Sequence, residues 1–327
     1  MPGQSCLGRV DYRGRFAPSP TGPLHPGSLL TAVASYADAR AHAGAWLVRI
    51  EDLDRPREVP GAADQILRTL EAFGLNWDEA VVRQSRRAAA YREALDRLDT
   101  DQLTYPCACS RAEIARNGRP GPEGPVYPGT CRDGVRVGRK AQTIRFRVPE
   151  GPIGFHDRIQ GRQVQSVAES VGDFVVRRAD GLPAYQLAVV VDDAWQGITH
   201  VVRGADLLLS TPRQVLLQAA LGLGRPGYAH VPLVVDHQGR KLSKSLAAAP
   251  IEIRNPFPAL RLAWNLLGQP PPPADLPPGE FWTWAIPNWA ISRIPACGAI
   301  RCDIPPLMGE PGTVCRRVGY CLPKARR

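Results

Sequence analysis

Apolar positions along the chain recur with two different periods. Leu29, Leu30, Val33, Tyr36 and Ala37 repeat at helical spacing and Gly44 follows them, which predicts a helix over residues 27–43. Ahead of it, residues 14–22 read as a short strand running into a Pro/Gly loop. Residues 46–50 form an apolar run suited to a strand buried in a parallel sheet. Ile66, Leu67, Leu70 and Phe73 share one face of a predicted helix over 62–73 that Gly74 ends, and a further helix is predicted over 86–98. This alternation of strand and helix predicts an α/β domain with a parallel sheet.

The alternation breaks over residues 105–141, a Cys-, Gly- and Pro-rich stretch with little periodicity that reads as an inserted loop domain. A strand resumes at 143–148, where Ile144, Phe146 and Val148 alternate. Residues 174–178 and 182–191 flank Ala179, Asp180 and Gly181, a predicted hairpin. Ser210, Thr211 and Pro212 open a helix to about Leu221, with Thr211 as its cap. Leu260, Ala263, Trp264 and Leu267 predict a short helix over 256–268, after which a proline run breaks the chain. Beyond Pro295 no periodicity is convincing. The expected layout is therefore a catalytic domain over 8–250 interrupted by the 105–141 insertion, a short helical C-terminal part over 251–295, and a tail over 296–327 of unknown structure.

Composition changes this picture little. The 327 residues are 44% apolar and 22% charged, ordinary for a soluble globular chain. No stretch approaches the roughly 18 uncharged apolar residues of a membrane helix, and the N-terminus lacks the apolar core of a secretory signal. The expectation is a cytoplasmic monomer with no membrane partner. The formal charge of +10 attracts polyanions such as nucleic acid as readily as it reflects an arginine-rich composition. Lysine is scarce, yet Lys241 and Lys244 lie three positions apart.

That pair marks one of two candidate nucleotide-binding loops. Lys241, Leu242, Ser243, Lys244 and Ser245 place two mobile point charges and two hydroxyls where they can clamp a triphosphate. The other loop carries His25, Pro26, Gly27 and Ser28 between the first strand and first helix, where an open α/β sheet binds ligands. A helix N-terminus there offers free N–H groups to phosphate, and His25 can donate to a phosphate oxygen. Taken alone, either loop is more often an ordinary turn or a solvated basic loop.

Together the two loops resemble the paired signatures of the class I aminoacyl-tRNA synthetases. The segments Arg15 to Gly22, Arg49 to Arg55, Tyr185 to Asp193 and Val202 to Asp206 are similar to the glutamyl branch of that family. The resemblance implies a Rossmann-like catalytic domain that activates L-glutamate with ATP, with Mg²⁺ on the phosphates. His25, Gly27, Lys241 and Lys244 would be its catalytic residues, and Ser28 and Ser243 would join them in holding ATP. Ser28 departs from the histidine more usual at that place. Glutamate contacts carried over by motif are Arg15, Ala17, Ser19, Glu51, Tyr185 and Arg203. The chemistry fits, because two carboxylates and one ammonium call for cationic forks and one anion. Within the branch the resemblance is to truncated enzymes that attach glutamate to the queuosine base of tRNA(Asp). After Ser245 the chain leaves no room for a helical anticodon-binding domain of about 100 residues or more. A conventional enzyme charging a tRNA 3′ end, and an inactive RNA-binding module, are the alternatives.

Cys107, Cys109 and Cys131 fall within the insertion, where three thiols suit one structural Zn²⁺ stapling a loop that lacks its own core. The resemblance supplies Tyr127 as fourth ligand; water or an empty position is the alternative. Cys297, Cys302, Cys315 and Cys321 are spaced poorly for zinc and suggest a disordered or aberrant tail.

Overall fold

A computed structural model describes residues 12–236, 238–239 and 251–302. Strand β1 (Arg13–Phe16) leads through the Pro/Gly loop into helix α1 (Pro26–Ala41), and β2 (Ala45–Ile50) lies parallel to β1. Helix α2 (Ala62–Ala72) crosses to β3 (Val82–Arg83), parallel to β2, and α3 (Ala88–Thr100) follows. The crossover helices make this parallel pairing possible, since parallel strands need a long connection. No charged residue except Asp38 and Arg40 interrupts the apolar surface of α1, and Leu29 through Ala39 are almost continuously buried.

The insertion is framed by a small antiparallel sheet. Its strands are β4 (Thr104–Cys107), β7 (Thr143–Phe146) and β10 (Val175–Arg177), in the order β10-β7-β4. Between β4 and β7 lie α4 (Arg111–Asn117) and the two-residue strands β5 (Pro120–Gly121) and β6 (Gly124–Pro125). The sequence reading left α4 out, although Ser110 and Glu113 form a reciprocal capping box at its start. After β7 come the hairpin β8 (Pro152–Asp157) and β9 (Gly161–Ser166) and the short helix α5 (Val167–Ser170).

Two expectations are corrected here. Residues 182–191 do not form the second arm of a hairpin. The turn after β10 exists, but only Pro183 bridges back to Arg177, and the chain then enters helix α6 (Tyr185–Trp195). The valine run misleads because α6 is buried on most sides, and periodicity cannot separate a buried helix from a buried strand. Thr211 is not the cap of α7 (Thr211–Ala220); Ser210 holds that place at the end of a 3₁₀ turn. Because that turn runs into the helix, no side-chain cap is needed there.

Strands β11 (His200–Gly204) and β12 (Gly227–Val231) pair in parallel, and β12 continues to β8, giving the order β11-β12-β8-β9. β11 runs beside β1, joined where the Thr199 amide donates to the Arg13 carbonyl at 3.0 Å. Beyond β13 (Leu233–Val235), α8 (Phe257–Leu266) and α9 (Phe281–Ala285) lead to β14 (Ala299–Arg301), which pairs in parallel with β13. The start of the supposedly unstructured tail is thus a strand, and Ile300 and Cys302 are buried. Among the described residues no helix is long and apolar enough to cross a membrane.

The C-terminal part does not build a separate core. Trp264, Phe281, Trp289 and Ile300 belong to the same buried cluster as Leu29, Val33, Trp46 and Leu70. Edge-on aromatic packing (Trp264 on Phe281 at 5.6 Å, Tyr36 on Trp282 at 4.7 Å) adds geometric preference to apolar burial. The buried indole N–H groups of this cluster find acceptors, Trp46 on Ser35 at 3.0 Å, Trp264 on Pro270 at 2.8 Å and Trp289 on Asp38 at 3.1 Å, and the half-buried Trp282 donates to Phe73 at 2.8 Å.

Asp38 is the polar knot of this core. It is fully buried and accepts from Tyr12, Trp289 and both terminal nitrogens of Arg158. Burial pushes its carboxyl up, but the Arg158 pair and the Tyr12 and Trp289 donors outweigh that and hold it below its ordinary value. Asp38→Asn should destabilise the protein by roughly 3–5 kcal/mol at neutral pH, because Arg158 then loses its buried counter-charge. A depressed carboxyl contributes stability above its unfolded value of about 3.9 and loses it as pH falls through the folded value. Urea midpoints of parent and variant should therefore converge on acidification; a gap independent of pH would refute the assignment.

Candidate active site

The loop after β1 is pinned before any ligand arrives. The Glu51 amide donates to the Pro18 carbonyl and the Val59 amide to the Pro20 carbonyl, both at 2.9 Å. This holds residues 17–24 against the carboxyl end of β2. The loop closes on α1 with His25 as N-cap, whose Nδ1 accepts the Ser28 amide at 3.2 Å. Nε2 then carries the proton toward Ser28 Oγ, 2.9 Å away. Pro26 starts the helix at no cost in hydrogen bonds. A Cβ at Gly27 would stand 3.3 Å from the His25 ring, so glycine there allows the imidazole to fold over the helix start.

These residues wall a cavity of about 790 Å³ at the carboxyl ends of β1, β2 and β11. It is lined by every glutamate-contact candidate, Arg15, Ala17, Ser19, Glu51, Tyr185 and Arg203, and by the nucleotide candidates His25, Gly27 and Ser28. Strand β1 supplies Arg15, β2 leads to Glu51, α6 begins with Tyr185 and β11 carries Arg203. Lys241, Ser243 and Lys244 lie outside the described residues.

Beneath the cavity lies a buried charge network that joins the candidates Arg15 and Glu51 to three residues with no role assigned from sequence, Arg49, Asp192 and Asp193. Arg49 is wholly buried. Its Nη2 reaches Asp193 at 2.8 Å and Glu51 at 3.3 Å, and its Nη1 donates to Gln196 at 2.7 Å. Asp193 also accepts from Arg15 Nε at 3.1 Å, and its carboxyl is held below the ordinary value because Arg15 and Arg49 outweigh burial. Glu51 goes the other way: burial raises it, and Arg49 and Arg15 only partly offset that. One layer deeper, Asp192 accepts from Gln84 at 2.8 Å, Tyr91 at 2.7 Å and Arg87 at 2.5 Å. A signal was present in the sequence. An arginine inside the apolar run of β2, and two adjacent aspartates in an apolar helix, must find each other or remain buried and unpaired.

The groups left over point to a dianionic ligand with an amine. Arg203 gives Nε to His230 at 2.9 Å and Nη2 to Thr211 at 2.9 Å, while its buried Nη1 has no partner among the described residues. Burial, followed by the nearby Glu51 charge, pushes the Tyr185 phenol up to about 12, so it remains a donor.

The insertion gathers its own cluster. The thiols of Cys107, Cys109 and Cys131 lie within 4.8 Å of one another. The Tyr127 hydroxyl stands 3.4 Å from Cys107 Sγ and 3.8 Å from Cys109 Sγ, and Cys109 Sγ stands 3.6 Å from Cys131 Sγ. Burial raises the Cys107 thiol, but Tyr127, the Cys109 amide and Arg145 outweigh it and bring it down to about 7. This donor set suits a soft, tetrahedral metal.

Comparison with known proteins fits this geometry. Residues 11–252 match the family of the tRNA synthetases class I (E and Q), catalytic domain. A Glutamyl-Q tRNA(Asp) synthetase of Chromobacterium violaceum is 56% identical over 285 residues, covering 87% of this chain and 96% of its own. Another with that name, from Neisseria meningitidis serogroup B, is 54% identical over 87% of this chain and 97% of its own. Among solved structures, a glutamate tRNA ligase from Elizabethkingia meningosepticum in complex with its amino acid is similar with a TM-score of 0.75 and 27% identity. The match covers 89% of this chain and 67% of that one.

Arg49→Met should destabilise the fold by roughly 3–5 kcal/mol, because Asp193 and Glu51 stay buried without their shared cation. Urea unfolding measures it; a loss under about 1 kcal/mol would mean the network is solvated and not load-sharing.

Proposed function

Since the chain belongs to the class I tRNA synthetases of the glutamate and glutamine branch, we propose that it activates L-glutamate with ATP and transfers it to the queuosine base of tRNA(Asp). The chain is a ligase-type enzyme of that family, and its substrates are glutamate, ATP and tRNA. The observation that carries the amino-acid assignment is the convergence of Arg15, Glu51, Tyr185 and Arg203 on one cavity, with Arg203 Nη1 buried and without a partner among the described residues. Two guanidinium groups suit two carboxylates, and Glu51 suits the ammonium. The acceptor RNA follows from the relatives' names and not from any residue of the cavity. We place the enzyme in the cytoplasm as a monomer.

The chemistry needs no protein nucleophile. The glutamate α-carboxylate attacks the α-phosphorus of MgATP, the bond to the β-phosphate oxygen breaks, and pyrophosphate leaves. His25, Gly27 and Ser28 at the start of α1 hold phosphate through an imidazole, a backbone amide and a hydroxyl, together with Lys241, Ser243 and Lys244 of the second loop. A hydroxyl of the RNA then attacks the glutamyl carbonyl and releases AMP. Alignment and charge stabilisation supply the rate.

Glutamate-dependent exchange of pyrophosphate into ATP should proceed without any tRNA. Labelled glutamate should then pass to queuosine-containing tRNA(Asp) even when its terminal adenosine has been removed. Exchange only with tRNA present, and labelling only of an intact 3′ end, would establish conventional charging. No exchange under either condition leaves an RNA-binding module.

We also assign one structural Zn²⁺ to Cys107, Cys109, Cys131 and Tyr127. Metal–sulfur distances of about 2.3 Å and metal–oxygen distances of about 2.0 Å give a tetrahedron with edges near 3.8 and 3.5 Å. Of the observed separations, the oxygen–sulfur ones of 3.4 and 3.8 Å and the sulfur–sulfur one of 3.6 Å lie within about 0.3 Å of those edges, and all three thiols lie within 4.8 Å of one another. The ion would tie β4 to the loop before β7, where the apolar cluster is only Tyr105, Cys107, Tyr127 and Cys131. Elemental analysis should find one zinc per chain, lost in Cys131→Ser and more easily chelated in Tyr127→Phe. Equal retention by Tyr127→Phe would replace the phenol by water, and no zinc above trace would end the assignment.

A further inference from the structure

Behind the wall of the cavity two buried side chains that the glutamate reading leaves without a role, Asp157 and His230, lead to Arg203. Asp157 ends β8 and is fully buried. Its Oδ1 accepts the amides of Ile159 at 3.0 Å, Gln160 at 2.8 Å and His230 at 3.2 Å, and its Oδ2 lies 2.6 Å from His230 Nδ1. Burial raises this carboxyl, but His230 and the amides outweigh it and keep it below its ordinary value.

His230 lies on β12 directly opposite Arg203 of β11 and is also fully buried. Its Nε2 stands 2.9 Å from Arg203 Nε. Arginine has no acceptor, so that N–H can only donate, and Nε2 must offer a lone pair. The imidazole proton therefore belongs on Nδ1, where the Asp157 carboxylate receives it. Burial, and to a lesser degree the Arg203 and Arg15 charges, bring His230 down to about 4 against the pull of Asp157, so the ring stays neutral at physiological pH. Tyr228 stacks along it at 6.2 Å and Phe155 meets it edge-on at 6.5 Å. Thr211 Oγ1 and the Leu207 carbonyl take Arg203 Nη2 at 2.9 and 3.4 Å. With Nε and Nη2 fixed, the guanidinium has one setting, and only Nη1 is left for a ligand.

We infer that Asp157 and His230 are positioning residues for amino-acid recognition: Asp157 fixes the tautomer of His230, and His230 Nε2 fixes the Arg203 fork that receives a carboxylate of the substrate. The same lock spends the His230 Nε2 lone pair on Arg203 and leaves a charged donor, Nη1, turned to the ligand, which a carboxylate accepts more strongly than a neutral carboxamide does. This deepens the glutamate reading and rests on it.

The test starts with the unaltered protein. Long-range ¹H–¹⁵N NMR of its histidines should place the His230 proton on Nδ1; finding it on Nε2 overturns the inference. In Asp157→Asn the amide still accepts backbone N–H groups but turns an NH₂ toward His230, so the proton must move to Nε2 and face Arg203. In ATP–pyrophosphate exchange the KM for glutamate should rise about tenfold or more, with the KM for ATP changed by no more than about twofold. Discrimination against glutamine should fall with it. His230→Gln, which keeps an acceptor for Arg203, should retain more glutamate affinity than His230→Leu. Equal behaviour of those two, or glutamate and ATP constants moving together, reduces the chain to a structural role and overturns the inference. Absence of glutamate-dependent exchange in the unaltered protein would instead sink the reading beneath it.

Discussion

One guanidinium with no access to water organises the site. Arg49 sits at the end of an apolar strand, and a buried cation is tolerated only where its counter-charges are held in place. It finds them in Asp193 of α6 and in Glu51 just past its own strand, with the side-chain oxygen of Gln196, at the end of α6, as a neutral acceptor. That requirement fixes how α6 docks on β2. Since α6 begins at Tyr185 and contains Asp193, the docking also sets the phenol at the cavity and gives Arg15 an anion to lean on. The cavity's charges are thus arranged from below: Asp193 is spent on Arg15 and Arg49, while Glu51 touches Arg49 and still lines the cavity.

Read this way, the balance of charge explains which groups can meet a ligand. Arg49 is consumed by the scaffold. Arg15 shares Asp193 with it. Among the described residues Arg203 is held by neutral partners, a histidine, a hydroxyl and a carbonyl, and makes no ion pair. A carboxylate entering the cavity therefore gains most beside Arg203, where it supplies the missing counter-ion. Holding a cation with neutral acceptors orients it without quenching it.

Much of this was legible in the sequence, for reasons that differ by element. Helices α1, α2 and α8 carry apolar stripes at helical spacing and stop at glycine or at a proline run, and they lie where the pattern put them. The candidate residues Arg15, Glu51, Tyr185 and Arg203 come from four separate segments, yet one cavity is lined by all four, because strand ends of a parallel sheet converge. What failed were the places where burial erases the pattern. Helix α6 is apolar nearly all round, so its valines read as a strand. Strand β14 has three residues, too few to show a period, and it pairs with β13 across more than sixty positions of chain. The capping box of Ser110 and Glu113 was written in the sequence but stood in a stretch dominated by cysteine, glycine and proline.

The buried polar chain from Asp157 to Arg203 shows why a residue list read from motifs stops short. Arg203 was legible because it lies in the segment Val202 to Asp206, which is similar to the glutamyl branch, and a guanidinium suits a carboxylate. His230 and Asp157 look, in sequence, like a core histidine and a turn aspartate, and each is that as well: Asp157 caps the β8–β9 turn through the amides of Ile159 and Gln160. The second use depends on a cross-strand register, Arg203 opposite His230, that exists only once β11 and β12 are paired. Donor and acceptor counting then fixes the proton. Arginine can only donate, the aspartate carboxylate can only accept, and the neutral imidazole between them does both, donating from Nδ1 and accepting at Nε2. A scaffold interaction and a recognition element are here the same three side chains.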